Sequence, residues 1–210
     1  MKKTILTGLK PTGSLTLGNY VGAISQIVKL QDEYNSYLFI ADMHAITVPN
    51  DRGILHNNIR DFIALYIACG IDPNKNVLYL QSDIEFIPAI SWLLECSTYY
   101  GEASRMIQFK EKSKGQESCN VGIFNYPILM AADILLYDAE FIPLGEDQFQ
   151  HIELTRDIAI RVNHRYGDIF TVPEKTSEQA KFMGSNDGIR IRDLVNPEKK
   201  MSKSAKAEKL

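Results

Sequence analysis

Near the end of this sequence, five residues combine positive charge and hydroxyl groups in a way that suits phosphate chemistry. Lys200-Met201-Ser202-Lys203-Ser204 places two lysines three positions apart, with serines beside them. Two such cations can grip a polyphosphate, and their charge stabilises it most when negative charge grows in a transition state. A solvated basic tail has the same composition. By composition alone, the basic tail is the stronger interpretation.

A second candidate is the glycine-rich segment Gly8 to Asn19, between a β-prone run and a stretch with helical apolar spacing. Gly8, Gly13 and Gly18 let the backbone approach a ligand closely, and the following helix presents unpaired N–H groups to an anion. This pattern favours a phosphate site. The spacing is not G-x-G-x-x-G, so the dinucleotide fingerprint is not met, and an ordinary strand-to-helix turn stays as the alternative.

A third candidate is a carboxylate on an apolar helix face. Tyr126, Met130, Asp133 and Tyr137 recur at helical intervals and therefore share one face. An unpaired buried carboxylate is costly, so Asp133 must meet a cation, a hydrogen-bond donor or a ligand. A core ion pair with a lysine or an arginine explains the pattern as well as a ligand does.

The elements that must position these residues alternate between strands and helices, which is typical of a parallel, doubly wound α/β sheet. The predicted strands are Thr4–Thr7, Tyr37–Ala41, Val77–Leu80 and Phe141–Pro143. The predicted helices are Tyr20–Glu33, Ile54–Cys69 with a stop at Gly70, Ile87–Cys96, Glu102–Lys112, Pro127–Tyr137 and Asp147 to about Tyr166. The polar segment Pro173–Gly188 is predicted to be a mobile loop or an insertion.

Composition sets outer limits on the function. With 210 residues, 45% of them hydrophobic and 23% charged, the chain predicts one main globular domain. Its net charge of −3 means that a nucleic acid would have to bind a local basic patch. No apolar run approaches a membrane span, and Cys69, Cys96 and Cys119 form neither a disulfide framework nor a structural zinc pattern. We expect a cytoplasmic protein.

Taken together, these segments resemble the bacterial-type tryptophanyl-tRNA synthetases, a family of class I aminoacyl-tRNA synthetases. Thr16-Leu17-Gly18-Asn19 resembles that family's variant of the HIGH signature, and Lys200 to Ser204 matches the KMSKS signature letter for letter. The resemblance covers essentially the whole chain. Three internal blocks carry it between the two signatures: Ala41–Thr47, Met130–Tyr137 and Gly145–Gln148.

The resemblance implies a site for ATP, with Mg²⁺ bound through the ATP phosphates, and a site for tryptophan, but no protein-held metal. The implied catalytic residues are Thr16, Asn19, Lys112, Lys200 and Lys203. The implied ATP-binding residues are Lys10, Pro11, Thr12, Gly18, Asn19, Gly145, Glu146, Asp147, Ile191, Lys200, Met201, Ser202, Lys203 and Ser204. The implied tryptophan-binding residues are Leu6, Gly8, His44, Tyr126, Met130, Asp133 and Gln148.

Within this implied tryptophan site, Asp133 would accept the indole N–H, and Met130 would pack on the ring. Tyr126 and Gln148 would face the amino-acid head group. His44 would line the pocket, although without the neighbouring motif a hydrogen-bonded core histidine would be the favoured interpretation. A surface helix charge likewise stays open for Lys112.

One departure from the family concerns Lys10. Many bacterial relatives carry glutamine there, near the ATP phosphates. A lysine adds a full positive charge, so the phosphate contacts of the family cannot be carried over unchanged.

The implied fold is a Rossmann-like α/β catalytic domain over residues 1–210, with a helical insertion near 102–136 and the KMSKS loop near 199–206. The chain ends six residues after Ser204, where a helical anticodon-binding domain follows in the family. We therefore expect that domain to be absent and tRNA charging by these residues to be poor.

The implied reaction joins L-tryptophan and ATP into tryptophanyl-adenylate and pyrophosphate, before transfer of tryptophan to tRNA(Trp) by a homodimer. Two alternatives remain. A tyrosyl-tRNA synthetase shares the fold and the chemistry, and a non-catalytic tryptophan-binding relative would keep the pocket but carry broken phosphate motifs.

Overall fold

A computed structural model of the chain describes residues 2–13, 20–113 and 119–183. At its centre lies a parallel three-stranded sheet in the order β1-β2-β3, with Thr4 opposite Asn35 and Ser36 opposite Asn76. An isolated parallel bridge joins Ile5 to Phe141. The strands are β1 Thr4–Leu9, β2 Asn35–Ile40 and β3 Asn76–Leu80.

The bridge at Phe141 lies beside β1, so the chain winds to both sides of this first strand. That is the doubly wound arrangement predicted from the alternation of elements, and the predicted α/β class is confirmed. The strand predicted at Phe141–Pro143 is reduced to a single bridge in the described chain.

Helices connect and cover the strands. They are α1 Ser25–Leu30, α2 Asp42–Ala45, α3 Arg52–Ala68, α4 Phe86–Glu95, α5 Tyr100–Ala103, α6 Ile107–Ser113, α7 Val121–Leu136, α8 Phe149–Tyr166 and α9 Thr176–Phe182. A π-helical turn, Tyr20–Ile24, precedes α1, and 3₁₀ turns lie at Gln81–Asp83 and Glu146–Gln148. No helix in the described ranges is long and apolar enough to cross a membrane.

The sheet has an apolar layer on each face because side chains alternate along a strand. On one face Ile5 of β1 and Leu38 of β2 pack with residues of α1 and α3. On the other face Leu6 and Phe39 pack with residues of α7 and α8. A further apolar cluster joins α4, α7 and α8, so the long helix α7 is packed on several sides.

Two predicted helix boundaries are wrong for identifiable reasons. Helix α7 begins at Val121 rather than Pro127, because the Asn120 side chain caps it by accepting a hydrogen bond from Ile123 N at 3.0 Å. The predicted Glu102–Lys112 helix is divided into α5 and α6. Between them the backbone N–H of Ile107 donates to Gln150 Oε1 at 2.8 Å instead of continuing one helix.

The stop predicted at Gly70 is confirmed, since its φ of 101° is open to glycine and disfavoured for other residues. The loop predicted over Pro173–Gly188 is wrong for Thr176–Phe182, which forms α9. There the buried Gln179 accepts a hydrogen bond from Ile142 N at 2.9 Å and donates to the carbonyl of Glu140 at 2.8 Å. These polar contacts, together with the stacking of Phe182 on Phe141 at 4.2 Å between ring centroids, hold the helix at the edge of the sheet.

Candidate functional site

A cavity of about 290 Å³ lies where β1 and β2 end, between the sheet and α7. In doubly wound folds, ligands bind beyond the carboxyl ends of the strands, beside the point where the winding reverses. All seven residues predicted to bind tryptophan line this cavity: Leu6, Gly8, His44, Tyr126, Met130, Asp133 and Gln148. The other lining residues are Thr7, Lys10, Phe39, Ala41, Thr47, Gln108, Ile134, Ile142, Pro143 and Leu144.

Asp133 is the most deeply buried polar group of this wall, with no exposed surface. His44 Nε2 lies 3.0 Å from its Oδ2. Gln81 Nε2 donates to both carboxylate oxygens, at 2.9 Å each. The partners are thus a histidine and an amide, and within the described chain the alternative of a lysine or arginine ion pair is not formed.

Burial raises the pKa of the Asp133 carboxyl above its usual range, because the charged form loses its hydration. The hydrogen bonds from His44 and Gln81 act in the opposite direction, since they stabilise the charged form. Any further N–H that reaches this carboxylate from the cavity would be bound by a strong, charge-assisted hydrogen bond.

His44 combines the two interpretations that its sequence left open. It is a hydrogen-bonded histidine, and it also lines the cavity, between Asp133 and the ring of Tyr126. The two rings meet edge to face, with centroids 6.0 Å apart. The Tyr126 hydroxyl lies 3.0 Å from Nε2 of the buried His151 on α8, which fixes the end of the tyrosine side chain.

Gly8 lines the cavity and also packs directly against an aromatic ring. A Cβ atom at Gly8 would lie 2.3 Å from Cζ of Phe39, far inside van der Waals contact. Phe39 in turn stacks on Tyr79, with centroids 5.6 Å apart. The missing side chain of Gly8 therefore makes room for an aromatic ring of the cavity wall.

Lys10 supplies the only lysine or arginine side chain among the described residues that line the cavity. Its Nζ donates to Thr47 Oγ1 at 3.4 Å, and the Thr47 hydroxyl donates to the carbonyl of His44 at 2.8 Å. Lys10 thus brings a positive charge to the same wall as His44. Pro11 and Thr12 follow it outside the lining, where Asn58 Nδ2 donates to the carbonyl of Pro11 at 3.1 Å.

Gly145 and Asp147, two of the residues predicted to bind ATP, belong to a tight turn next to the cavity. Gln148 N donates to the carbonyl of Gly145 at 2.9 Å, and Gln148 Nε2 donates to Asp147 Oδ2 at 2.9 Å. A Cβ at Gly145 would lie 2.7 Å from Asp147 Oδ1. Gln148 reaches the cavity, and Gly145 and Asp147 lie just outside its lining.

For the remaining predicted residues the structure gives at most the element to which each belongs. Lys112 belongs to α6, and Glu146 to the 3₁₀ turn. The others lie outside the described residues: Thr16, Gly18, Asn19, Ile191, Lys200, Met201, Ser202, Lys203 and Ser204.

Comparison with known proteins assigns the chain to a family. The family model of tRNA synthetases class I (W and Y) matches residues 2–210. The chain belongs to this family. The tryptophan–tRNA ligase of Bacillus subtilis (strain 168) is 52% identical over 204 residues, which are 97% of this chain and 60% of that protein.

Solved structures of tryptophanyl-tRNA synthetases share the fold. The Campylobacter jejuni enzyme, complexed with ADP and tryptophane, is 40% identical with a TM-score of 0.83, over 96% of this chain and 60% of its own. The Mycoplasma pneumoniae enzyme is 37% identical with a TM-score of 0.88, and the match covers 99% of this chain and 60% of that enzyme. This class I synthetase chain thus spans about 60% of the length of the relatives it matches.

Several site residues of this class I synthetase chain escaped sequence reasoning. Gln81 donates a hydrogen bond to Asp133, and Gln108 lines the cavity. His151 lies within hydrogen-bond distance of the Tyr126 hydroxyl. For Gln81 a signal was available, because it is a polar residue immediately after the third predicted strand. Polar residues at the carboxyl ends of parallel strands are candidates for a site.

Proposed function

We propose that this chain carries the amino-acid activating site of a tryptophan–tRNA ligase, in which L-tryptophan and ATP form tryptophanyl-adenylate and pyrophosphate. The observation that carries the proposal is a fully buried carboxylate, Asp133, in the wall of a cavity that is otherwise mainly apolar. Indole is an apolar bicyclic ring with one N–H, so it matches a mainly apolar wall that offers a buried carboxylate as acceptor. The similarity to the Campylobacter jejuni enzyme supports the same reading.

In the proposed complex, the indole N–H donates to Asp133, and Met130 and Phe39 supply apolar contact to the ring. Tyr126 and Gln148 are on the same cavity and serve the amino and carboxyl groups of the substrate. The substrate carboxylate then attacks the α-phosphate of ATP, and pyrophosphate leaves. The protein contributes alignment and charge stabilisation rather than a covalent intermediate.

The phosphate half of the site is proposed from sequence. Lys200 and Lys203 would stabilise the negative charge that grows on the phosphates, with Lys112 reaching them as well. Thr16, Gly18 and Asn19 would face the nucleotide through backbone and side-chain donors. Lys10 lies on the cavity wall beside Thr47, so its charge would act between the substrate carboxylate and the phosphates.

The other proposed nucleotide contacts have simpler roles. Gly145 and Asp147 would lie near the ribose, and the backbone of Ile191 near the adenine. Glu146 would belong to the same ATP-binding set. Pro11, Thr12, Met201, Ser202 and Ser204 complete the proposed ATP-binding set.

Mg²⁺ is proposed to arrive with ATP. The described residues contain no group of three or more His, Cys, Asp or Glu side chains that could hold a metal ion. Mg²⁺ usually keeps several waters and binds through substrate phosphates, so an ion held by ATP does not need such a group. It would neutralise charge on the pyrophosphate.

Three further proposals concern the surroundings of the enzyme. We propose tRNA(Trp) as the acceptor of the activated amino acid, the cytoplasm as its location, and a homodimer as its active form. Around α4 the apolar side chains of Phe86, Trp92 and Leu93 are 70%, 65% and 64% exposed. A second copy of the chain would cover such exposed apolar side chains.

Pyrophosphate exchange into ATP, measured with each standard amino acid in turn, tests the proposed function. We expect tryptophan alone to support efficient exchange. Preference for tyrosine would make the chain a tyrosine-activating enzyme of the same family. Tryptophan binding without exchange would make it a binding protein and would overturn the proposed catalysis.

A further inference from the structure

The Asp133 carboxylate is almost fully occupied before any substrate arrives. An ionised carboxylate has about four lone-pair positions, two on each oxygen. Gln81 fills one position on each oxygen at 2.9 Å, and His44 fills a second position on Oδ2 at 3.0 Å. One acceptor position is left, and it is on Oδ1.

We propose that Gln81 is the residue that positions Asp133, holding its carboxylate so that the remaining acceptor position on Oδ1 receives the ring N–H of tryptophan. The inference rests on the proposed function and names a specificity-determining residue for it. Gln81 itself does not line the cavity, so it acts through Asp133. Without Gln81, the carboxylate would keep only His44 as a partner and could rotate away from the substrate.

The backbone around Gln81 is rigid enough for this task. Gln81 follows β3 directly and begins the 3₁₀ turn Gln81–Asp83. The turn is closed by a hydrogen bond from Ile84 N to the carbonyl of Gln81 at 3.2 Å, and Ser82 N donates to Asp42 Oδ1 at 3.1 Å. A side chain on such a support is more precisely placed than one on a long loop.

The burial of Gln81 shows that this amide is not an ordinary core residue. Gln81 is completely buried, and its Oε1 has no hydrogen-bond partner among the described residues. Burying an unsatisfied carbonyl costs free energy that an apolar side chain of the same length would not cost. What the amide provides in return is an Nε2 donor that is 2.9 Å from both oxygens of Asp133.

The test compares tryptophan with 3-(benzothiophen-3-yl)alanine, in which sulfur replaces the ring N–H. Dissociation constants of both ligands are measured by equilibrium dialysis for the unchanged chain and for Gln81→Met, which keeps the length and removes the donors. We expect Gln81→Met to weaken tryptophan binding about tenfold, the loss of one oriented hydrogen bond to a charged group. Binding of the sulfur analogue should change less than about threefold.

Gln179→Met is the matched control, because Gln179 is equally buried and hydrogen-bonded but contacts the backbone of Glu140, Ile142 and Glu174 rather than Asp133. It should leave the ratio of the two affinities unchanged. If Gln81→Met does not fold, Gln81→Asn is used, whose amide is too short to reach both oxygens.

The two possible failures are distinguishable. If Gln81→Met weakens both ligands equally, or weakens neither, Gln81 does not position Asp133 and the inference is overturned. If the unchanged chain binds tryptophan no better than the sulfur analogue, the proposed recognition through Asp133 fails as well.

Discussion

Asp133→Asn removes one charge from the cavity wall while keeping the shape of the side chain. The new amide oxygen can still accept from Gln81, and its NH₂ group can donate to His44 if the histidine proton moves to Nδ1. The position that faces the substrate becomes a neutral acceptor. A hydrogen bond to a charged group is worth about 1.5–3 kcal/mol and one between neutral groups about 0.5–1.5 kcal/mol.

The change should therefore cost roughly 1–1.5 kcal/mol for tryptophan, which is about a fivefold to tenfold fall in kcat/KM. Phenylalanine has no ring N–H, and bound beside Asp133 it would leave the carboxylate desolvated and without a ligand donor. Its kcat/KM should stay level or rise. The tryptophan-to-phenylalanine ratio should shrink, and Asp133→Ala should shrink it further. Pyrophosphate exchange with both amino acids measures the ratio.

Although Asp133→Asn should lower tryptophan activation, it should raise the stability of the folded chain. Because burial raises the pKa of Asp133, the folded chain binds a proton there more readily than the unfolded chain does. Above the pKa that Asp133 has in the folded chain, its charged carboxylate therefore lowers the free energy of unfolding. This loss disappears as the pH falls toward the pKa of an Asp in the unfolded chain, about 3.9. Two neighbours act on the pKa of Asp133: His44 lowers it and Asp42 raises it. The Asp133 charge in turn raises the pKa of Tyr79 and Tyr137.

We expect Asp133→Asn to raise Tm relative to the unchanged chain near neutral pH, with the difference shrinking as the pH falls toward 4. A series of thermal unfolding curves without ligand measures it. A constant tryptophan-to-phenylalanine ratio together with a lower Tm at neutral pH would contradict a recognition role for Asp133. Asp133 would then be a structural partner of His44 and Gln81 rather than a recognition group.

Three further outcomes are expected. Lys203→Ala should slow single-turnover adenylate formation about 100-fold, as loss of one contact to a developing charge does, with tryptophan affinity changed less than about twofold; equal losses would contradict a phosphate role. Gly8→Ala should lower stability by about 1–3 kcal/mol in denaturant titration, because its methyl group would meet Phe39 at 2.3 Å, and adding Phe39→Leu should restore part of it. Asn120→Ala should cost about 1 kcal/mol by the same titration through loss of the α7 cap, whereas an unchanged midpoint would show that the cap is dispensable.

Local pattern alone determined the class of the fold and one face of its site. Strands alternate with helices at short intervals, and this regularity is a local property that needs no knowledge of distant contacts. Helical spacing likewise placed Tyr126, Met130 and Asp133 on one face of α7, and the structure brings that face to the cavity. Motif resemblance also predicts the family, and the family match over residues 2–210 confirms it.

Tertiary structure alone decided what surrounds Asp133. Gln81 and His44 lie 52 and 89 residues away from it in the sequence, and only the folding of β3 and α2 against α7 brings them within hydrogen-bond distance. The requirement for glycine at position 8 is also a tertiary effect, because the ring of Phe39 on the neighbouring strand leaves no room for a side chain there. A local pattern states that a buried carboxylate must have partners, because desolvation makes an unpaired charge costly. It does not state which partners, since these are chosen by the packing of elements that are distant in the chain.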